Sequence, residues 1–196
     1  MHRTAVIDNS TLVYLTKLKN LKIFDSLRFL FQQVHIPQEI KNEYEKNQSL
    51  EPNRVWILER LKPNYGFYSF CTRYDIVVLT MVNGKKDIDR GEAEVYAQQK
   101  KVNAHYIISD DIKFHKAIKA VDRNVKILTI LHIIAMLDIR ELLVNTNEII
   151  KTLHLHYKFK SRQLRSAYIE SANELGLDLP KSKLNYRCSF KQLGLN

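Results

Sequence analysis

Tyr106-Ile107-Ile108-Ser109-Asp110-Asp111 is the stretch on which the fold turns. A short apolar run that stops at a serine and two aspartates reads as a strand buried on both faces, ending on the rim of its sheet. Toward the N-terminus, Thr4-Ala5-Val6-Ile7-Asp8 repeats the form, and Asn9-Ser10 offer a helix cap before Leu12, Leu15 and Leu18. Val34-His35-Ile36, Phe67 to Phe70 and Val125 to Leu128 supply further short strands. Between them, helical spacing predicts a helix over 22–32, with Ile23, Leu27, Leu30 and Phe31 on one face. Pro37 suits the first turn of a helix running to about Lys46, and another helix covers 52–62 around Trp56 and Leu61. Asp89 opens a helix from Arg90 to Lys101, and a further one spans 112–121. From 129 to 175 the chain reads as helices broken near Asp138, near Asn145-Thr146-Asn147 and from Lys158 to Ser161. Strands alternating with helices predict an α/β fold, a three-layer α/β/α arrangement around a central parallel sheet. Residues 1–145 form this domain, and 146–196 a helical C-terminal extension. The segment from Leu179 to Asn196 has little periodicity and fits a tail, a dimer arm or a nucleic-acid contact equally.

The chain has 196 residues, 45% hydrophobic and 27% charged, enough for one ordinary domain with an extension. Five glycines and four prolines leave little room for long disordered linkers. A formal net charge of +10 favours a polyanionic partner. Cys71 and Cys188 fit no metal or redox spacing and read as reduced thiols. The N-terminal apolar run is too short for a signal peptide and ends in acid, and Val125 to Leu137 contains Lys126 and His132, so no membrane span is expected. The expected setting is cytoplasmic.

The acids are the candidates for chemistry. Asp8 ends the first strand, and Ser10 two residues on can orient it; a plain strand end and helix cap explains the same residues equally well. Glu39 and Glu43 share a helix face, with Glu39 reading as solvated beside Lys41 and Glu43 placed to reach the sheet rim. In Gly91-Glu92-Ala93-Glu94 the two glutamates point to nearly opposite sides of the helix, and Glu92 is the one expected to face the rim. The helix dipole alone also favours acids there. Asp110-Asp111 exceeds what one cap needs. Carboxylates gathered on one rim repel unless they are neutralised or hold a cation. At the carboxyl ends of parallel strands, that rim is where ligands bind.

Four segments carry a family resemblance: Ala5 to Ser10, Ile36-Pro37 leading to Glu43, Asp89 to Val95, and Ile107 to Asp111. Over roughly residues 4–130 the chain resembles the PIN-domain nucleases, which include the ribonuclease toxins of bacterial toxin–antitoxin pairs. Its Gly-Glu-Ala-Glu form is similar to that of one subgroup of predicted PIN proteins. The resemblance implies a helix over Asp75 to Val82, where Ile76-Val77-Val78-Leu79 suits a strand by residue type. It also implies an acidic set of Asp8, Glu43, Glu92 and either Asp110 or Asp111, with Asp8, Glu92 and one or both aspartates on Mg²⁺ or Mn²⁺. Hard divalent cations prefer such oxygen ligands. The implied activity is metal-dependent cleavage of an RNA phosphodiester bond by a toxin with a partner antitoxin, and the implied assembly is a homodimer.

Two other functions compete. A non-catalytic RNA- or protein-binding module would use the fold without cutting. A phosphatase with Asp8 as nucleophile would want a second aspartate where Ser10 stands. Lys158, Lys160, Arg162 and Arg165 lie among Tyr157, Phe159 and Tyr168, which suits either nucleic-acid stacking or a solvated face over inward-packed aromatics. Arg90, Lys113, Lys116 and Lys119 flank the acidic segments. His115, His154 and His156 lack partners at ligand spacing and read as a mixture of surface and half-buried side chains.

Overall fold

In a computed structural model, the protein is described over residues 3–46, 52–60, 67–71, 74–86 and 88–195. Leu61 and the expected loop residue Asp87 lie outside the described residues. Five strands, β1 (Thr4–Ile7), β2 (Gln33–Pro37), β3 (Tyr68–Cys71), β4 (Tyr106–Ile108) and β5 (Ile127–Leu128), form one sheet in the order β3-β2-β1-β4-β5. Every pairing is parallel. Helices flank the sheet in the expected three-layer α/β/α fold.

The chain lays down β1, moves outward through β2 and β3, then returns to place β4 on the other side of β1. The strand order therefore reverses between β1 and β4, and a crevice opens beyond their carboxyl ends. Register fixes what stands there. Ile7 pairs with Ile108, so Asp8 and Ser109 leave the sheet side by side. Asp8 N–H still donates to the Ile108 carbonyl at 2.8 Å, and Ser109 N–H to that of Leu128 at 2.9 Å.

Among the described residues, two compact units are formed, Met1–Thr16 with Phe31–Leu128, and Lys17–Leu30 with Thr129–Asn196. In the first, α1 (Asn9–Lys17) leaves β1, and α3 (Gln38–Lys46) leaves β2. Helix α5 (Ile76–Val82) packs beside α6 (Arg90–Lys101), and α7 (Ile112–Val121) follows β4. Val6 and Ile107 face a cluster completed by Val82, Ala93, Phe114 and Ile118. Ala5, Ile7 and Ile108 alternate to the opposite face and are equally buried, as a sheet covered on both sides requires.

The second unit holds a short α2 (Ile23–Ser26), α8 (Ile130–Ile139), α9 (Thr146–Tyr157), α10 (Ser161–Leu175), α11 (Lys181–Arg187) and α12 (Phe190–Leu193). The helix expected over 22–32 is broken: a residue at positive φ, Lys22, precedes α2, and a 3₁₀ turn over Leu27–Phe29 follows it. Its apolar residues are buried as expected. Pro37 is the last residue of β2 rather than part of the helix, because its extended backbone still pairs with Cys71. Phe159 and Tyr168 pack inward and are fully buried, so neither is available to stack on a base. The C-terminal segment buries Leu184, Cys188 and Leu193. No helix among the described residues is long and apolar enough to cross a membrane.

Candidate functional site

Two turns interlock at the strand-order reversal. Asp8 is 7% exposed, and its Oδ2 accepts from Ser10 Oγ at 2.5 Å, from Ser10 N–H at 3.3 Å and from Ser109 Oγ at 3.0 Å. Ser10 Oγ in turn accepts from the Asp110 N–H at 2.9 Å, and Ser109 Oγ from the Asp111 N–H at 3.2 Å. Both hydroxyl protons thus point at one carboxylate oxygen, while both hydroxyl oxygens receive amides of the turn that follows β4. This is a closed, buried polar network, the kind that rigidifies what it joins. His115 Nε2–H closes it from α7 by donating to the Ser109 carbonyl at 2.7 Å.

The paired aspartates divide their roles. Asp111 caps α7, its Oδ1 accepting from the Lys113 and Phe114 amides at 2.7 and 3.0 Å. Asp110 is 9% exposed, and its Oδ2 accepts from Thr11 Oγ1 at 2.8 Å. A cleft of about 480 Å³ lies over the rim, lined by Asp8, Ser10, Glu43, Glu92 and Asp111, together with Asn9, Pro37, Glu39, Ile40, Asp89, Arg90 and Gly91. Asp110 is not part of its wall. Of the residues expected at the site, the cleft therefore gathers five and leaves Asp110 behind it. Glu39, read from sequence as a solvated side chain, lines the cleft as well.

Glu92 sits in the first turn of α6, where its Oε2 accepts from the Asp89 N–H at 2.9 Å and Asp89 Oδ1 accepts from the Glu92 N–H at 2.8 Å. That reciprocal pair is a capping box. Burial, opposed by the Asp89 amide and reinforced by the charges of Asp89, Asp111 and Asp8, pushes the Glu92 carboxyl up to about 7. Three segments distant in sequence therefore act on one proton. Glu94 is buried as well, and burial raises its carboxyl, with the Arg90 hydrogen bond lowering it and the charge of Glu39 raising it further.

The donor set suits a hard cation. Asp8, Asp111 and Glu92 each commit one oxygen to holding the fold, and among the described residues the second oxygen of each accepts no protein hydrogen bond. Every acid on the cleft wall offers oxygen, with no thiolate or imidazole beside it. The acids are not packed into a cage: among the described residues, no group of three or more His, Cys, Asp or Glu side chains lies close enough to hold one ion.

Ser109 and Thr11 were not singled out from the sequence, because a serine before an acid reads as an ordinary strand end. The register of β1 against β4 is what makes Ser109 a neighbour of Asp8.

Fold and cleft together define an α/β protein whose acidic, ligand-accessible rim lies at the reversal of strand order. A family model described as DUF3368, PIN domain, matches residues 4–174, and the chain belongs to the PIN-domain family. Its fold is thus of the nuclease type, in a family that generally acts on nucleic acid. No curated protein and no solved structure matches the chain significantly.

Proposed function

We propose that the protein is a Mg²⁺- or Mn²⁺-dependent endoribonuclease that hydrolyses RNA phosphodiester bonds. In the same reading it is the toxin of a toxin–antitoxin pair, a cytoplasmic homodimer restrained by an antitoxin protein. The observation that carries the nuclease reading is the single cleft lined by Asp8, Glu43, Glu92 and Asp111, residues far apart in sequence. The net charge of +10 adds support for a polyanionic substrate. RNA, the antitoxin and the dimer rest on the family resemblance.

The residues divide the work. Asp8, Glu92 and Asp111 each carry an uncommitted oxygen, of which an ion would take one or two directly and reach the rest through its waters, and Ser10 and Ser109 fix the rotamer of Asp8. Glu43, on α3, supplies negative charge from another wall of the cleft. Asp110, held by Thr11, fixes the turn that presents Asp111. When bound, a divalent ion activates water and stabilises charge on the leaving oxygen.

One observation favours a second reading, an RNA- or protein-binding module that does not cut: among the described residues, no three acids are close enough to grip an ion as they stand. Incubating the protein with structured and single-stranded RNA in Mg²⁺, Mn²⁺ or EDTA separates the two. EDTA-sensitive cleavage, lost in Asp8→Asn with the melting transition retained, is the expected result. Binding without cleavage selects the module, and an Asp8→Asn variant that cuts as fast as the parent overturns the site.

A further inference from the structure

Arg90 is the one basic side chain on the wall of the acidic cleft, among the described residues. It occupies the first turn of α6, where the helix dipole disfavours a cation. It also lies four residues before its partner Glu94, the less favourable order for an ion pair along a helix. A chain that breaks two local preferences at one position has commonly spent them on function. The partner explains how the arginine is held. Glu94, whose side chain is 5% exposed, accepts from Arg90 Nε at 3.2 Å, while the Arg90 side chain itself is 74% exposed. Only Nε is engaged. Among the described residues, the two terminal NH₂ groups make no hydrogen bond, and they form the edge of the guanidinium fork that matches two phosphate oxygens.

We propose that Arg90, braced by the buried Glu94, receives a backbone phosphate of the nucleic acid in this cleft and sets how the strand lies across it. The inference rests on the nuclease reading and gives the second glutamate of Gly91-Glu92-Ala93-Glu94 a role: Glu92 faces the cleft, and Glu94 aims the arginine. A phosphodiester approaching a wall of carboxylates needs a compensating cation of its own, besides any metal, and Arg90 is the group in place.

The test is binding of a labelled single-stranded oligoribonucleotide by anisotropy, with Ca²⁺ as the cation, alongside steady-state cleavage in Mg²⁺. Arg90→Ala is expected to bind about tenfold more weakly, and to lower the slope of log affinity against log salt by about 0.7, the value of one phosphate contact on a single strand. In cleavage the loss is expected in KM rather than kcat. Arg90→Lys restores the salt slope but only part of the affinity, since an ammonium lacks the fork. Glu94→Gln, whose neutral oxygen holds Nε less firmly, falls between parent and Arg90→Ala. Should Arg90→Ala melt early, Arg90→Lys carries the comparison. Unchanged affinity, salt slope and KM in Arg90→Ala, with a parent that cleaves, overturns the proposal and leaves the nuclease reading standing. A parent that binds through Arg90 without cutting supports the phosphate contact and overturns the nuclease reading. A parent that neither binds nor cuts overturns both.

Discussion

Glu92 ties the chemistry of the cleft to the stability of the fold. Its carboxyl holds a proton up to about 7 in the folded protein, against an ordinary value of 4.5, mainly because burial and neighbouring acids disfavour the charge. As pH rises through this window without a metal, the unfolded chain releases the proton before the folded one does. The folded state then binds more protons, so stability falls as pH rises between about 4.5 and 7. In EDTA, the parent should therefore melt at a lower temperature at about pH 7.5 than at about pH 5, as far as this group is concerned. Glu92→Gln keeps the capping box, since glutamine serves there as well as glutamate. It should melt above the parent at the higher pH, approach it at the lower, and gain less on adding Mg²⁺. A parent and variant with parallel melting curves across the range would show that the Glu92 carboxyl is not raised in the folded protein. Much at this scale was legible in the sequence: Asp8, Ser10, Glu43 and Glu92 could each be named from a strand end or a helix phase. What periodicity could not decide was Asp110 against Asp111. Their separation depends on Thr11 reaching across from the β1 turn to take Asp110, a contact made by tertiary structure alone.

Elements were legible where caps and apolar period agreed, and misread where backbone conformation overrode residue type. Helix α6 runs from Arg90 to Lys101 as its cap at Asp89 predicts, and α7 likewise begins after Asp111. Ile76-Val77-Val78-Leu79 has strand composition, yet α5 forms because Asp75 Oδ1 accepts from the Val77 and Val78 amides at 3.0 and 3.1 Å. The helix over 22–32 is realised as α2 and a 3₁₀ turn over Leu27–Phe29, where Leu30 N–H reaches back three residues to the Leu27 carbonyl at 2.9 Å, a tightening that composition does not carry. The acidic network of the second unit was also hidden, because Asp138 read only as a helix break. In the structure it is 3% exposed and joins four helices: Thr146 Oγ1 of α9 donates to its Oδ1 at 2.5 Å, Tyr168 OH of α10 to its Oδ2 at 2.9 Å, and Arg187 Nε of α11 lies 3.1 Å away. Burial, then the negative charge of Asp138, push the Tyr168 hydroxyl well above its ordinary range, keeping it a donor at any physiological pH. Breaking a buried pair strands the remaining partner, at a cost of about 3–5 kcal/mol. Asp138→Ala should thus lower the unfolding free energy by that amount and move the urea midpoint down by that energy divided by the m-value, with loss of helical circular dichroism in the same transition. A change within about 0.5 kcal/mol, typical of a surface site, would show that the network contributes little to joining these helices.

For the whole molecule, the charge balance and the cleft point in opposite directions, and the difference says where affinity should come from. Thirty-one lysines and arginines outweigh twenty-one acids, yet acids crowd the cleft and Arg90 is the basic residue on its wall among those described. The remaining excess of positive charge must lie outside the cleft, where it attracts phosphates without contributing to the reaction. Holding the strand and cutting it should then separate. On the proposed nuclease reading, Asp8→Asn loses cleavage yet should bind single-stranded RNA as tightly as the parent or tighter, since one negative charge is removed from the cleft. Its affinity should fall steeply with salt. If the exterior neutralises about three phosphates, the slope of log affinity against log salt is about −2, and affinity drops more than tenfold between about 50 and 200 mM. Inorganic polyphosphate should compete for the same surface. A slope near zero in filter-binding or anisotropy titrations would mean that the net charge plays no part in holding the nucleic acid, leaving the cleft to supply the affinity against its own field.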